Sequence, residues 1–237
     1  MLVKTKAIVL SSIRFQEKSL IVKCFTQSDG LKSYFVQSAF SGKKSNQKIA
    51  YFQPLTLLEI EASHKNKGTL ERFKEVKLAT PYMTVNVDVV KSTIVIFISE
   101  MLHNCIREEE QNENLFAFLE TALLWLDTHD EVANFHLMLL MEITKFLGFY
   151  PDVSNDEYAF FEMTEGMFVP FHGITCLTEQ ETLLFKKLKE LKFDSDQKIF
   201  NGKERQILLK ILLDYYTFHF DGFKKPRSLE VLKEVFQ

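Results

Sequence analysis

The period of the apolar residues changes once along this chain, near Pro81. Upstream, apolar and polar residues alternate in short runs; downstream, apolar residues recur every three or four positions. A two-residue period belongs to strands and the longer one to helices. The chain therefore reads as a sheet module, residues 1–80, followed by a helical one, residues 81–237, an α+β architecture.

Ala7-Ile8-Val9-Leu10 is the first apolar run, and residues 20–26 are β-branched and partly alternating. Asp29-Gly30 turns the chain and the pattern resumes over 31–40, which predicts a hairpin. Residues 41–48 are polar and read as a loop. Residues 52–62 predict a fourth strand, with Leu55, Leu57 and Leu58 inside and Thr56, Glu59 and Glu61 more exposed. Asn66-Lys67-Gly68 makes a turn and 70–78 a fifth strand. Five short strands in so short a module predict a small closed barrel, because closure removes exposed edges.

The helical half starts near Asn86, with Val90, Ile94, Phe97, Ile98, Met101 and Leu102 on one face. Asn112 caps a second helix through Phe116, Leu119, Leu123 and Leu126. Asp130 is expected to cap a third, through Phe135, Leu139, Ile143 and Phe146, ended by Gly148 with Pro151 beyond. Residues 152–177 have no clear period, but Phe160-Phe161 and Met167-Phe168-Val169 read as two short strands around Glu165-Gly166. Thr178 with Glu181 is a capping box for a helix through Leu184, Leu188 and Leu191. Residues 203–220 give another helix, and Ser228 is expected to cap the last.

Charge follows the same division. Residues 1–80 hold 14 Lys and Arg against six Asp and Glu, a net of +8. Residues 81–180 carry −14 and residues 181–237 carry +3, within an overall −3. A basic module attracts phosphates and releases counterions when it binds them. The acidic middle reads as a solvated helical surface, with a protein-docking face as the alternative.

Chemistry is harder to find. There is no GxSxG, P-loop or HExxH pattern. His129 and His136 read as surface or interfacial residues, and Glu108-Glu109-Glu110 as a solvated helix end. A two-metal nuclease would need clustered carboxylates, which the N-terminal module lacks. No catalytic residue, metal ligand or cofactor is expected, and the chain does not read as an enzyme. Cys24, Cys105 and Cys176 are odd in number and dispersed, which points to a reducing compartment. The N-terminus lacks a signal-peptide pattern and no apolar run would span a bilayer, so a cytoplasmic protein without membrane attachment is expected.

The candidates for nucleic-acid contact are Arg14, Lys18, Lys23, Lys32, Lys43, Lys44 and Lys48, with Tyr34 as a base-stacking residue. Phe35, Phe40 and Tyr51 are further stacking candidates. Tyr34 and Phe35 are neighbours on one strand, so both cannot be core. The alternative function is a protein-interaction adaptor whose barrel does not itself bind DNA.

Several segments, taken in order, resemble the RecO family of bacterial recombination mediators. They are Lys6-Ala7-Ile8-Val9-Leu10, Glu17-Lys18-Ser19-Leu20-Ile21-Val22, Phe25-Thr26, Gly30-Leu31, Gln53-Pro54-Leu55-Thr56-Leu57-Leu58-Glu59, Leu147-Gly148-Phe149-Tyr150-Pro151-Asp152, His219-Phe220-Asp221-Gly222-Phe223 and Ser228-Leu229-Glu230-Val231-Leu232. The resemblance implies an OB-fold β-barrel followed by an all-α domain. It implies binding of single- and double-stranded DNA, strand annealing, and work with RecR on strands coated by single-stranded-DNA-binding protein, so that RecA loads during break and gap repair. It implies no nucleotide hydrolysis. The coating protein's acidic tail would need a receiver of apolar surface and cations, for which Lys186, Lys187, Lys189, Arg205 and Lys210 are the candidates. One departure stands out. Many relatives carry four cysteines in a zinc motif, where residues 154–176 here offer only His172 and Cys176. A tetrahedral site needs four ligands. The expectation is a zinc-less hairpin held by Phe160, Phe161, Phe168 and Phe171.

Overall fold

The alternating segments become strands β1 (Leu2–Phe15), β2 (Ser19–Thr26), β3 (Gly30–Val36), β4 (Leu57–Ser63) and β5 (Arg72–Leu78). The computed structural model describes residues 1–40, 49–65, 69–107, 111–194 and 199–236. The expected turn at Asn66-Lys67-Gly68 and the run Glu108-Glu109-Glu110 lie outside them. The strands form one sheet in the order β3-β2-β1-β4-β5, every neighbouring pair antiparallel.

β1 is longer than its apolar run because a bulge at Leu10 shifts its register between Val9 and Ser11. Its first half pairs with β4 and its second half with β2. A bulge adds a local bend and twist, so one strand serves both sides of a curled sheet.

The expected closure is not made by a ladder. The edge strands meet at one parallel bridge, where Glu71 N–H donates to Ser33 O (2.8 Å) and Phe35 N–H to Glu71 O (2.9 Å). β5 is engaged with β4 over its length, and it is the residue just before β5 that reaches β3. The result is the partly open form of a five-stranded OB-type barrel.

Ala7, Val9, Val22, Cys24, Tyr34, Leu58, Ile60 and Ala62 fill the inside of the curl. Ile8, Phe25 and Leu57, of opposite parity, are buried as well. The Phe25 ring lies 5.9 Å from that of Phe116 in the second helix. Burial on both faces explains why residues 7–10 read as an unbroken apolar run. β4 starts at Leu57, later than expected, because Pro54 and Leu55 form a turn in which Leu55 takes a φ of 55°.

Six helices follow among the described residues: α1 (Val89–Cys105), α2 (Glu113–Thr128), α3 (Phe135–Leu147), α4 (Glu179–Glu190), α5 (Gly202–His219) and α6 (Leu229–Val235). Asn112 Oδ1 accepts from Leu115 N–H at 3.0 Å, as its position predicts. The Thr178–Glu181 capping box is present, and a second, Asn201 with Glu204, opens α5. Gly148 ends α3 in the left-handed region, at φ 82°. Asp130 does not cap α3, which begins after Asn134. Ser228 precedes α6, but its backbone N–H and hydroxyl donate to the Glu100 carboxylate (3.1 and 3.0 Å). No helix among the described residues is long and apolar enough to cross a membrane.

Packing divides the chain into two compact units. Met1–Thr128 with Pro226–Ser228 form the first, so α1 and α2 pack with the sheet although their sequence period is that of the helical half. His129–Lys225 with Leu229–Gln237 form the second. In the second unit, β6 (Phe160–Glu162) and β7 (Met167–Val169) pair as the expected hairpin. Gly166 turns it at φ 70°, and a Cβ there would meet the Tyr215 hydroxyl at 2.5 Å. Phe161 and Phe168 are buried, but Phe171 is 82% exposed and plays no part in the packing expected of it. His136 is not a surface residue: it is buried, its ring stacked on Phe236. Burial pushes its imidazole down to about 3.

Candidate nucleic-acid interface

The +8 of the N-terminal module is unevenly compensated. On the β1–β4–β5 side, Glu61 pairs with Lys4 (3.6 Å) and with Lys74, Lys77 pairs with Glu75 (2.8 Å), and Lys6 pairs with Glu120 of α2 (2.8 Å). A polar groove there is lined by Lys4, Lys6, Lys77, Glu59, Glu61 and Glu75. Carboxylates alternate with the ammonium groups, which lowers the field a phosphate would meet.

The β1–β2–β3 side differs. Arg14 is exposed near the end of β1; its guanidinium donates to Glu17 O (2.8 Å) and lies 4.7 Å over the Phe40 ring. Lys18 is exposed in the β1–β2 turn, next to Glu17. Lys23 pairs across to Ser11 and Ser33. Burial, and after it the Lys23 ammonium, lower the pKa of the nearby His103 imidazole against the opposite pull of Glu100.

Two predicted contact residues are corrected. Tyr34 is fully buried: its ring stacks on Phe73 at 4.0 Å and its hydroxyl meets His64 Nε2 at 2.7 Å. Lys32, of the same parity, is also buried, with its charge near Asp29. Neither presents itself to a ligand. Lys43, Lys44 and Lys48 lie outside the described residues.

The buried Tyr34 belongs to a polar chain. His64 Nδ1 is 3.0 Å from Asp29 Oδ2, and Asp29 is also hydrogen-bonded by Ser28. Burial raises the Asp29 carboxyl, but these hydrogen bonds and the nearby His64 and Lys32 outweigh it and hold the pKa low. Tyr34→Phe is expected to lower stability by about 1–3 kcal/mol through the imidazole nitrogen left unpaired. DNA affinity should be unchanged; a loss of affinity without a loss of stability would return Tyr34 to the interface.

Sequence reasoning named Phe35 as a stacking candidate but missed Ile13, Phe15 and Ile21, which share its face with Lys23. Ile13 pairs with Ile21 and Ile21 with Phe35, while Phe15 closes the row opposite Ser19. Ile13 is 57% and Phe15 41% exposed. Strand parity was the available signal: Phe35 must face away from Tyr34.

The predicted partner-binding cations are distributed differently. Lys186 donates to Tyr158 O (2.7 Å) and lies over Phe168 at 5.0 Å. Lys189 pairs with Asp156 (2.8 Å). Both hold the β6–β7 region onto α4. Arg205 donates to Phe200 O and lies 5.9 Å over Phe236. Lys187 and Lys210 are exposed on α4 and α5. Among the described residues, no three His, Cys, Asp or Glu side chains converge as metal ligands.

Residues 1–82 match the family model described as recombination protein O N terminal, and residues 86–229 match recombination protein O C terminal. A DNA repair protein RecO from Flavobacterium psychrophilum is 73% identical over 237 residues, and one from Flavobacterium johnsoniae 66% over 236. One from Christiangramia forsetii is 40% identical over 238 residues. Each comparison covers 100% of both chains.

Proposed function

The chain belongs to the RecO family of DNA repair proteins, and on that premise we propose that it is a DNA-binding recombination mediator whose first contact with DNA is made by the β1–β2–β3 side of its sheet. The observation that carries this reading is the contrast in compensation. Lys4, Lys6, Lys74 and Lys77 are paired with carboxylates, whereas Arg14 is bonded to a backbone carbonyl and an aromatic face. A cation with no carboxylate partner among the described residues can exchange its counterions for phosphates, and that exchange drives binding.

The rest of the reading follows the family. Charge neutralisation lets two complementary strands approach and anneal. RecR and the tail of the single-stranded-DNA-binding protein dock on the chain, and RecA then loads on the freed strand. No covalent bond need change in any of these steps, so no catalytic group is assigned. A cytoplasmic setting fits the thiols: Cys24 and Cys105 are buried and free, and burial pushes Cys105 up to about 12.

If about four to six phosphates are contacted, log affinity for single strands should fall with log salt at a slope of roughly −3 to −4. Replacing Arg14, Lys18 and Lys23 together with Gln should make that slope shallower by about 2. Fluorescence anisotropy on a bare oligonucleotide measures both. A protein that binds no oligonucleotide at low salt would be an adaptor instead.

A further inference from the structure

Electrostatics alone gives a single strand no advantage over a duplex, whose charge density is higher. The β1–β2–β3 face carries a second feature that can. We propose that Phe15 and Phe35, with Ile13 and Ile21 between them, form a stacking platform for unpaired bases, so that this face selects single-stranded over double-stranded DNA. The proposal rests on the DNA-binding reading above and deepens it.

Parity builds the platform. The rungs Ile13–Ile21–Phe35 and Phe15–Ser19 follow Ser11–Lys23–Ser33 on the same face of the sheet. The Phe15 and Phe35 rings sit 6.1 Å apart, edge to face at 83°. Phe15 is 41% and Ile13 57% exposed, although the interior of the sheet at the same level, Val22 and Tyr34, is fully buried. Large apolar side chains held side by side in the open by a regular ladder make a contiguous patch, the mark of an interaction surface.

The surroundings say what would cover them. Lys23 lies one rung away on the same face and Lys18 stands in the turn at the adjoining end of the hairpin, beside Glu17, whereas Arg14, between Ile13 and Phe15 on β1, faces the other side of the sheet. An apolar protein segment would gain nothing from that cationic rim. A single strand fits both parts: its phosphates meet the ammonium groups of Lys23 and Lys18 while its bases lie on the rings. Each stacked base tightens binding by a factor of about five to 150. A duplex keeps its bases stacked inside and can use only the cations, so the platform adds affinity for the open strand alone.

The experiment compares three probes of equal length at one salt concentration: oligo-thymidylate, the same backbone with abasic sites, and a duplex. The abasic strand keeps the phosphates and removes the rings. The wild-type protein should bind oligo-thymidylate at least tenfold more tightly than the abasic strand. Phe15→Leu with Phe35→Leu should erase that gap and leave the salt slope and the duplex affinity as they were. Equal wild-type affinity for the two strands overturns the proposal without any variant, and leaves the cationic reading standing. A gap that survives the double substitution assigns stacking to other residues and overturns it too. Absence of binding to all three probes would instead defeat the DNA-binding reading itself. Thermal unfolding of the variant confirms that the comparison is made on folded protein.

Discussion

Asp127→Ala should lower the stability of the first unit by about 3–5 kcal/mol, because it leaves three backbone donors, one of them buried, without an acceptor at once. The Asp127 carboxylate accepts from the backbone N–H groups of Met83 (2.8 Å), Thr84 (2.8 Å) and Val85 (3.0 Å). Residues 83–85 connect β5 to α1, so one side chain at the end of α2 fixes the path of that connection. Lys91, 2% exposed, donates to the Thr84 hydroxyl (2.7 Å) and the Asp127 carbonyl (3.1 Å), so the same connection also holds a buried ammonium. Urea unfolding at pH 7 measures the loss; a change under 1 kcal/mol would mean that the connection is held elsewhere.

The same carboxylate predicts a pH dependence. Burial raises its pKa, but the three N–H groups and the Thr84 hydroxyl outweigh burial and hold it below the usual carboxylate range. A group whose folded pKa is depressed contributes stability above its unfolded pKa, about 4, and loses it as pH falls through the folded value. Asp127→Asn keeps one acceptor and cannot titrate. Its stability deficit relative to wild type should therefore be largest near neutrality and shrink as pH falls from about 5 toward 2. A deficit independent of pH over that range would remove the carboxylate from the account.

Neither Asp127 nor its partners was legible in the sequence, and the reason is physical. Caps, turns and periods are local, and the Thr178–Glu181 box and Gly148 were found because their partners lie within a few residues. The Asp127 contacts span 42 to 44 residues, and no local rule joins an aspartate at a helix end to a connection that far upstream. The bulge at Leu10 was hidden for a related reason. Ser11 and Ser12 break the apolar run but not the strand, since ladder hydrogen bonds come from the backbone. At the candidate interface, parity divided Tyr34 from Phe35 correctly but did not say which was inside. That was decided by Cys24 and Val22 on the neighbouring strand, which place Lys32 and Tyr34 in the interior. The capping of α3 failed because two candidates lie close together. Asp130 is exposed, while the chain turns through 131–134 and the helix starts after buried Asn134.

The second unit poses a different question, which is what holds residues 152–177 in place, since His172 and Cys176 are the only His and Cys side chains there and a tetrahedral metal site needs four ligands. The Phe161 ring is fully buried, with Phe185 of α4 at 4.6 Å, Phe168 of β7 at 5.0 Å and Tyr215 of α5 at 5.8 Å. Its backbone is tied as well: Phe161 N–H donates to the Thr182 hydroxyl (3.2 Å) and Phe161 O accepts from Leu177 N–H (2.8 Å). One aromatic side chain thus joins the hairpin to two helices, the task a metal would perform by coordination. Phe161→Ala should cost about 3–5 kcal/mol, the range for emptying a buried aromatic site, and Phe161→Leu distinctly less because it refills much of the volume. Phe171→Ser, on the exposed loop beyond β7, should change stability by no more than about 0.5 kcal/mol. Treatment with a strong chelator should leave the unfolding midpoint where it was. A chelator-induced loss as large as that of Phe161→Ala would show that a metal, and not the aromatic cluster, secures this region.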